Sequence, residues 1–351
     1  METYLICLAV ALIGGLLLSR LTKLLNLPAV TAYLLAGLLL GPFAIGRVGL
    51  NGLGFPSLAH VEGMSIITQT ALGFIAFTIG NEFRLSQLKS MGRSAIAIGI
   101  LQAVITTVVV DIILIGLHLA FPNVISLPCA ITLGAIASAT APAATLMVVR
   151  QYKADGPLTR LLLLVVAIDD AVGLLLFSAS FGIASALAHG QVSVTAVVLE
   201  PILEIVLSLG LGAAMGWLLN WVEQFFHSRS KRMTISVAFV LLTVGLSMMK
   251  FQLGGIHFGF SLLLVCMMTG TVFCNICDYS EELMARIESW TVPLNVLFFV
   301  ISGAELDLEI LANPVTILVG AIYIAARSAG KYYGSAVSCR LTKQSKPVLP
   351  I

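Results

Sequence analysis

Long apolar runs recur along the whole chain, and they limit what the chain can fold into. A membrane-spanning helix needs about 20 mainly apolar residues to cross the hydrocarbon core of a bilayer. By that rule we count eleven candidate spans, joined by brief connections with no inserted water-soluble domain. The spans are predicted at residues 3–20, 28–42, 64–83, 94–120, 127–149, 158–188, 197–226, 233–249, 255–274, 290–305 and 314–339. The pattern predicts an all-α, polytopic membrane protein with one membrane domain over residues 1–351.

The scarcity of charge excludes a water-soluble globular protein. Only 10% of the residues are charged, whereas a soluble domain carries about 25%. The first apolar run has no basic segment ahead of it and no small-residue cleavage site, so we expect a permanent span rather than a cleaved signal peptide. The sequence has no nucleic-acid-binding signature. The lipid bilayer is the expected partner.

Basic residues are distributed unevenly between the predicted connections. If the N-terminus lies outside, the inner connections hold fifteen of the nineteen Lys and Arg residues, and the outer ones hold only Arg47 and Lys250. Cytoplasmic connections of membrane proteins carry such an excess of positive charge. The distribution therefore predicts an outside N-terminus and a cytoplasmic C-terminus. The two remaining cations, Arg327 and Lys331, lie in the middle of the eleventh span.

The sixth span carries two adjacent aspartates, Asp169 and Asp170, near its centre. Asp170 is about 15 Å from either helix end, and ionisable groups at such depth usually mark ion or proton pathways. Neighbouring helical residues point about 100° apart, so the two carboxylates cannot share one proton. We expect one to bind a transported ion and the other to pair with a buried cation, Lys331 or Arg327. The alternative is a pair of protonated carboxyls packed in a helix interface.

The fifth span contains Pro142 among small and hydroxyl-bearing residues. Because proline removes a backbone hydrogen bond and clashes with the preceding turn, we predict that this helix is broken at membrane depth. Irregular backbone there survives only where it lines a cavity or is buried in protein. Carbonyl groups freed near Thr140 are candidate cation ligands, as in the broken helices of secondary transporters. An ordinary proline kink is the alternative.

Two further acidic residues within spans, Glu82 and Asp111, are possible supporting groups. Glu82, at the inner end of the third span, is either solvated or paired with Arg327. Asp111, in the fourth span, has no evident partner and is either a functional carboxylate or locally hydrogen-bonded. An intramembrane aspartyl protease needs two aspartates on facing helices, whereas Asp169 and Asp170 are sequence neighbours. We therefore predict no enzymatic activity and no catalytic residues.

With these residues in place, the chain resembles the monovalent cation:proton antiporter-2 superfamily, in particular the two-aspartate, electrogenic sodium/hydrogen exchangers. The resemblance runs nearly from end to end, and it depends on an ordered set of motifs rather than on any one of them. The motifs are Leu27–Val30, Ala36–Pro42, Leu72–Phe74, Gly80–Glu82, Thr140–Pro142, Ala167–Gly173, Phe298–Gly303 and Arg327–Lys331.

The resemblance implies an inverted-repeat fold, elevator-like alternating access and a homodimer. The mobile core would comprise residues 64–188 and 314–341, and the dimerisation scaffold residues 3–42 and 197–305. It implies that Asp170 binds Na⁺, or K⁺ or Li⁺, in exchange for protons, that Thr140 lies where the broken helices cross, and that Asp169 pairs with Lys331. No cofactor beyond the transported ions is expected. The expected location is the bacterial inner membrane.

The chain departs from this family pattern at its C-terminal end. Relatives usually have two more helices, and the second broken helix follows the lysine-bearing one, whereas this sequence stops at Ile351. We therefore expect the last two helices to be missing. An inactive or incomplete membrane fragment is an alternative to a working antiporter, and an ion channel is a further one.

Overall fold

A computed structural model of the chain describes residues 2–24, 27–48, 54–86, 92–140, 156–188, 200–249, 251–253, 256–311 and 313–342. Across these residues the chain is almost entirely helical, which confirms the all-α prediction. The exception is a short antiparallel hairpin of β1 (Phe251–Leu253) and β2 (Ile256–Phe258), in which Phe251 lies opposite Phe258.

The helices follow the predicted spans in order. Those of the first half are α1 (Glu2–Leu24), α2 (Ala29–Leu40), the short α3 (Leu58–Glu62), α4 (Ser65–Ile79), α5 (Gly92–Ala120), α6 (Leu127–Ser138) and α7 (Pro157–Ala188). Those of the second half are α8 (Glu200–Glu223), α9 (Arg229–Ser247), α10 (Leu262–Ile276), α11 (Ser280–Ala304), the short α12 (Leu308–Leu311) and α13 (Pro314–Leu341). Two 3-10 turns, Ile45–Val48 and Gly80–Phe83, follow α2 and α4.

The lengths and compositions of these helices suit a bilayer. Among the described residues, six helices are long and apolar enough to cross a membrane, and four shorter apolar helices accompany them. Each of the eleven predicted spans contains one helix of the observed set. The chain is therefore a multi-pass membrane protein, as predicted.

Helix α6 ends at Ser138, close to the break predicted in the fifth span, and residues 141–155 lie outside the described part of the chain. Two boundaries differ clearly from the sequence-based prediction. The ninth span begins as the β-hairpin before α10 starts at Leu262. α11 starts at Ser280, well before residue 290, and carries Glu281 and Glu282 in its first turn. Acidic side chains there interact favourably with the positive end of the helix dipole, so the helix extends beyond its apolar part.

The helices pack as two groups. In the first, α13 lies along α5, α6 packs with both around Val110, Leu114 and Ala326, and α7 packs against α5 and α6, with Val165 beside Ile98 of α5. In the second, α4, α8, α9, α10 and α11 surround Phe77 and Ile287, while α1 and α2 pack on α11. The third predicted span was assigned to the core, yet α4 packs against α9, α10 and α11, which were assigned to the scaffold. The division into moving and static parts remains a prediction.

Glycines bring backbones of the second group into direct contact. A Cβ atom added to Gly37 on α2 would collide with the carbonyl oxygen of Val300 on α11, and one added to Gly303 would collide with that of Leu34. Membrane helices associate largely through such small residues, since lipid tails are as apolar as leucine. The α2–α11 contact is therefore made by backbone as much as by side chains.

Candidate functional site

The site is centred on one carboxylate in the middle of α7. Asp169 is 1% exposed, and its Oδ2 atom accepts hydrogen bonds from three elements. Thr140 Oγ1, just beyond α6, donates at 2.6 Å, and Gln102 Nε2 on α5 donates at 3.3 Å. Lys331 Nζ on α13 forms an ion pair with the same oxygen. These contacts join α5, α7, α13 and the end of α6 at one point.

The other carboxylate oxygen of Asp169 is in a different situation. Asp169 Oδ1 is buried and has no hydrogen-bond partner within the residues that the structure describes. Nearly all buried polar atoms in proteins have a partner, so an exception needs an explanation. This oxygen has free lone pairs with which to accept a proton or to coordinate a cation.

The C-terminal end of α6 provides a second set of oxygen atoms. The helix ends at Ser138, and Ala139 is extended, with φ −66° and ψ 148°. The last four carbonyl groups of a helix lack intrahelical partners. Pro142, whatever its conformation, has no N–H to offer the carbonyl of Ser138. Unpaired carbonyl oxygens at membrane depth would be costly without other donors.

Two cations of α13 supply those donors. Arg327 donates from Nε to the carbonyl oxygen of Ala137 at 3.2 Å and from Nη2 to that of Ala139 at 2.7 Å. Lys331 Nζ donates to the carbonyl oxygen of Ser138 and, at 2.8 Å, to Thr140 Oγ1. Cations are favourable there because the C-terminal end of a helix carries the negative pole of its dipole. The side chains of Arg327 and Lys331 thus cap the C-terminal end of α6.

A cavity of about 240 Å³ opens onto this cluster. Since one water molecule occupies about 30 Å³ in the liquid, the cavity has room for several waters or a partly hydrated small cation. Its wall combines oxygen and amide groups with the apolar face of α7. The lining residues are Gln102, Thr140, Leu162, Val165, Val166, Asp169, Arg327, Lys331 and Ser335.

The structure brings together four of the residues singled out from the sequence, namely Asp169, Thr140, Lys331 and Arg327. Asp170 follows Asp169 in α7, but its side chain lies outside the described part of the molecule, as do the side chain of Glu82 and the whole of Pro142. The predicted roles of these three residues therefore stay predictions.

Asp111 lies apart from the cluster. It is on α5, and its carboxylate rests against Gly134 of α6, where an added Cβ would collide with Oδ1. That oxygen is buried without a hydrogen-bond partner in the described structure. The expected local hydrogen bond is not seen at this atom among those residues.

Gln102 is the member of the site that sequence reasoning missed. It is 5% exposed in α5 and contacts the central carboxylate directly. A signal was present, because a primary amide within an apolar span is expensive unless it has a partner. The sequence-based prediction considered only charged residues and therefore missed Gln102, as well as Ser335 on the cavity wall.

Comparison with known proteins adds family and fold. The model of the family described as "Sodium/hydrogen exchanger, transmembrane" matches residues 8–347. The structure of the sodium proton antiporter MjNhaP1 from Methanocaldococcus jannaschii at pH 8 superposes with a TM-score of 0.72 at 19% identity, covering 97% of this chain and 79% of that one. An electron-microscopy map of the same antiporter superposes with a TM-score of 0.71 at 18% identity, covering 97% of this chain and 78% of that one. No curated protein sequence matches. At these identities the structural similarity shows a shared fold.

Proposed function

Because the chain belongs to the transmembrane sodium/hydrogen exchanger family, we propose that it is a secondary active antiporter exchanging a monovalent cation for protons across the bacterial inner membrane. One observation carries the proposal. Asp169 is buried, one of its oxygens has no partner among the described residues, and it lies next to Asp170 and beside the C-terminal end of α6, on a cavity large enough for a small hydrated ion. Hard monovalent cations prefer oxygen ligands of the kind gathered there.

Coupling follows from competition for one carboxylate. A charged oxygen removed from water is costly, and either a proton or a cation reduces that cost. The two ligands exclude each other, so a site that faces each side of the membrane in turn exchanges one for the other. Elevator-like alternating access, as implied by the resemblance, would supply that change of face.

Asp170 is the proposed main carboxylate for the cation and the proton. Its neighbour Asp169 already binds Lys331, Thr140 and Gln102 through one oxygen. Since Asp170 is the next residue on α7, helix geometry predicts that it does not share the partners of Asp169. When the cation binds, Lys331 would release Asp169. If Asp169 then also exchanges a proton, more than one proton moves for each cation, and transport is electrogenic. Sodium is the favoured cation because the two-aspartate type of relative carries the same residues.

The surroundings are proposed on separate grounds. The N-terminus is outside and the C-terminus cytoplasmic, because basic residues are concentrated on one set of connections. The active form is a homodimer, as the resemblance implies. Neither feature is needed for the coupling argument above.

The deciding experiment measures proton flux in everted membrane vesicles from a host that lacks its own sodium/proton antiporters. After respiration acidifies the lumen, added Na⁺ should dequench an acridine dye for the wild type. Asp170→Asn should abolish the response because an amide cannot exchange a proton, whereas Asp307→Asn, on the outer connection, should retain it. A full response from Asp170→Asn at equal expression would refute the assignment.

The same vesicles separate the alternatives. A channel would give flux that does not saturate with Na⁺ and persists without proton movement. Absence of any response from folded wild-type protein would favour the incomplete-fragment alternative. Repeating the assay with K⁺ and Li⁺ ranks the cations.

A further inference from the structure

Two buried oxygen atoms on α5 lack hydrogen-bond partners among the described residues. They are Thr107 Oγ1 and Asp111 Oδ1. Residues four apart lie on the same helix face, about 6 Å apart along the axis. Two such orphans on one face, inside a membrane span, are unusual because unpaired polar atoms are costly there.

Along the axis of α5, these two oxygens lie at depths between the Asp169 cluster and one end of the helix, on the face that α6 covers at Gly134. Gln102, which donates to Asp169, precedes Asp111 by nine residues, or about 13 Å of helix. A further nine residues lead to the end of α5 at Ala120, which is predicted to be outside. Asp111 is therefore half-way between the cluster and the outer end of the helix.

The seam between α5 and α6 contains the carboxylate. α5 and α6 are joined by a short connection and pack against each other. The carboxylate of Asp111 fits only because Gly134 has no side chain. Further along the same helix, α6 ends at Ser138, whose carbonyl oxygen accepts a hydrogen bond from Lys331. The seam thus leads from Asp111 to the ion-pair cluster.

The helices around the seam bring no partner charge to Asp111. The described residues of α6 include no charged side chain, and the thiol of Cys129 is at its exposed outer end. From α13, Tyr323 packs in the same apolar cluster as Val110 and Leu114. The guanidinium of Arg327 is bound to the carbonyl oxygens of Ala137 and Ala139. A charged Asp111 would therefore be poorly stabilised, and a proton on it removes that cost.

We infer that Asp111 is a second proton-binding group, a relay that passes protons between outer water and the Asp169 cluster by way of the Thr107 hydroxyl. This inference rests on the proposed antiport function. A proton from outer water binds the carboxylate of Asp111. Because Asp111 Oδ1 and Thr107 Oγ1 have no hydrogen bond to each other in the described structure, a water molecule is needed between them to carry the proton to the hydroxyl, which accepts one proton as it gives up another. Water along the α5–α6 seam then delivers a proton to the cluster. No cation binds at Asp111.

The test compares two kinds of exchange in proteoliposomes. Sodium–proton exchange needs the relay, whereas isotopic sodium–sodium exchange uses the same ion site without any proton step. Asp111→Asn should slow sodium–proton exchange about tenfold or more, within the range by which positioned proton-transfer groups act, and leave sodium–sodium exchange unchanged.

Gly134→Ala gives a second, independent variant. Its methyl group would displace the carboxylate of Asp111 while leaving the acid in place, so it should also slow only the proton-coupled exchange. Equal loss of both exchanges in Asp111→Asn would show a merely structural role, and loss of neither would show no role. Either result overturns the inference.

A spectroscopic readout is independent of transport. The infrared carbonyl band of a protonated carboxylic acid should be present in purified wild-type protein at low pH, be smaller in Asp111→Asn, and decline as pH rises. An identical band in both proteins would overturn the inference. If wild-type protein shows this band yet transports nothing, the proposed antiport function fails while the protonation of Asp111 stands.

Discussion

At the residue scale, one ammonium group holds the centre of the molecule. Lys331 contacts Asp169 on α7, the Ser138 carbonyl at the end of α6 and the Thr140 hydroxyl beyond it. Each hydrogen bond to a charged group contributes about 1.5–3 kcal/mol. The larger effect on stability comes from removing one partner of the Lys331–Asp169 ion pair, because loss of Lys331 would leave a buried carboxylate without a compensating charge.

We expect Lys331→Ala to lower the free energy of unfolding by about 3–5 kcal/mol, the usual cost of removing one partner of a buried ion pair. The double variant Asp169→Asn with Lys331→Ala should be more stable than Lys331→Ala alone, because no buried charge is left unpaired. Unfolding in detergent micelles, followed by tryptophan fluorescence, measures both. A single variant as stable as the wild type would contradict the prediction.

Glu305, directly after the last residue of α11, offers a pH-dependent effect beyond the end of that helix. Burial, together with the negative charge of nearby Glu62, raises the pKa of Glu305 above its ordinary value of 4.5. The folded state then holds this proton more tightly than the unfolded state, so stability falls as pH rises from 4.5 through the folded pKa. Above that window the loss is complete.

We therefore expect Glu305→Gln to raise the melting temperature modestly above this window and to leave it unchanged at lower pH. Differential scanning fluorimetry across the window tests this, with Asp278→Asn as a surface control. A shift of the same size at every pH would show that the charge of Glu305 is not the cause.

The sequence foretold much of the central cluster at this scale. Asp169 and Lys331 stood out because charges at membrane depth need partners, and the structure places them in contact. Gln102 was passed over because an amide carries no charge and its role depends on which helix lies beside it.

At the scale of elements, the local sequence around Pro142 predicted a break in the fifth span. Contacts from α13 stabilise the end of α6 at Ser138, where cations replace the missing backbone donors. The hairpin before α10 was not foreseen. Its strand Ile256–Phe258 is part of an apolar run, and a short apolar run does not distinguish a strand from the start of a helix.

The backbone contact between α2 and α11 gives a prediction at this scale. Gly37→Ala should destabilise the protein by about 1–3 kcal/mol, the usual cost of overpacking, because its methyl group meets the carbonyl oxygen of Val300. Gly245→Ala on α9 is the matched control, since nothing lies within 4 Å of its added Cβ. That control should be neutral or stabilising by up to about 1 kcal/mol through helix propensity. Thermal unfolding of both variants measures the difference, and equal stability would contradict the contact.

At the scale of the whole molecule, the number and order of spans followed from hydropathy. A chain in lipid must satisfy its backbone hydrogen bonds within each segment, so apolar length translates directly into helices. The neighbours of each helix did not follow in the same way. α4 packs with α9, α10 and α11 through shape rather than polarity, and lipid-facing and helix-facing surfaces are equally apolar.

The orientation of the chain can be tested with a native reporter. Of the six cysteines, Cys129 near the start of α6 is exposed and the other five are buried. A membrane-impermeant maleimide should label right-side-out vesicles but not everted ones, and Cys129→Ser should abolish the label. Labelling confined to everted vesicles would reverse the proposed orientation.

The capping of α6 by α13 also constrains how the molecule can deform. Three charge-assisted hydrogen bonds from Arg327 and Lys331, one turn apart on α13, hold the C-terminal end of α6. Sliding α13 past α6 would remove the hydrogen-bond donors from these three carbonyl groups at the same time, at membrane depth. We therefore expect α6 and α13 to move together in any conformational change of the protein.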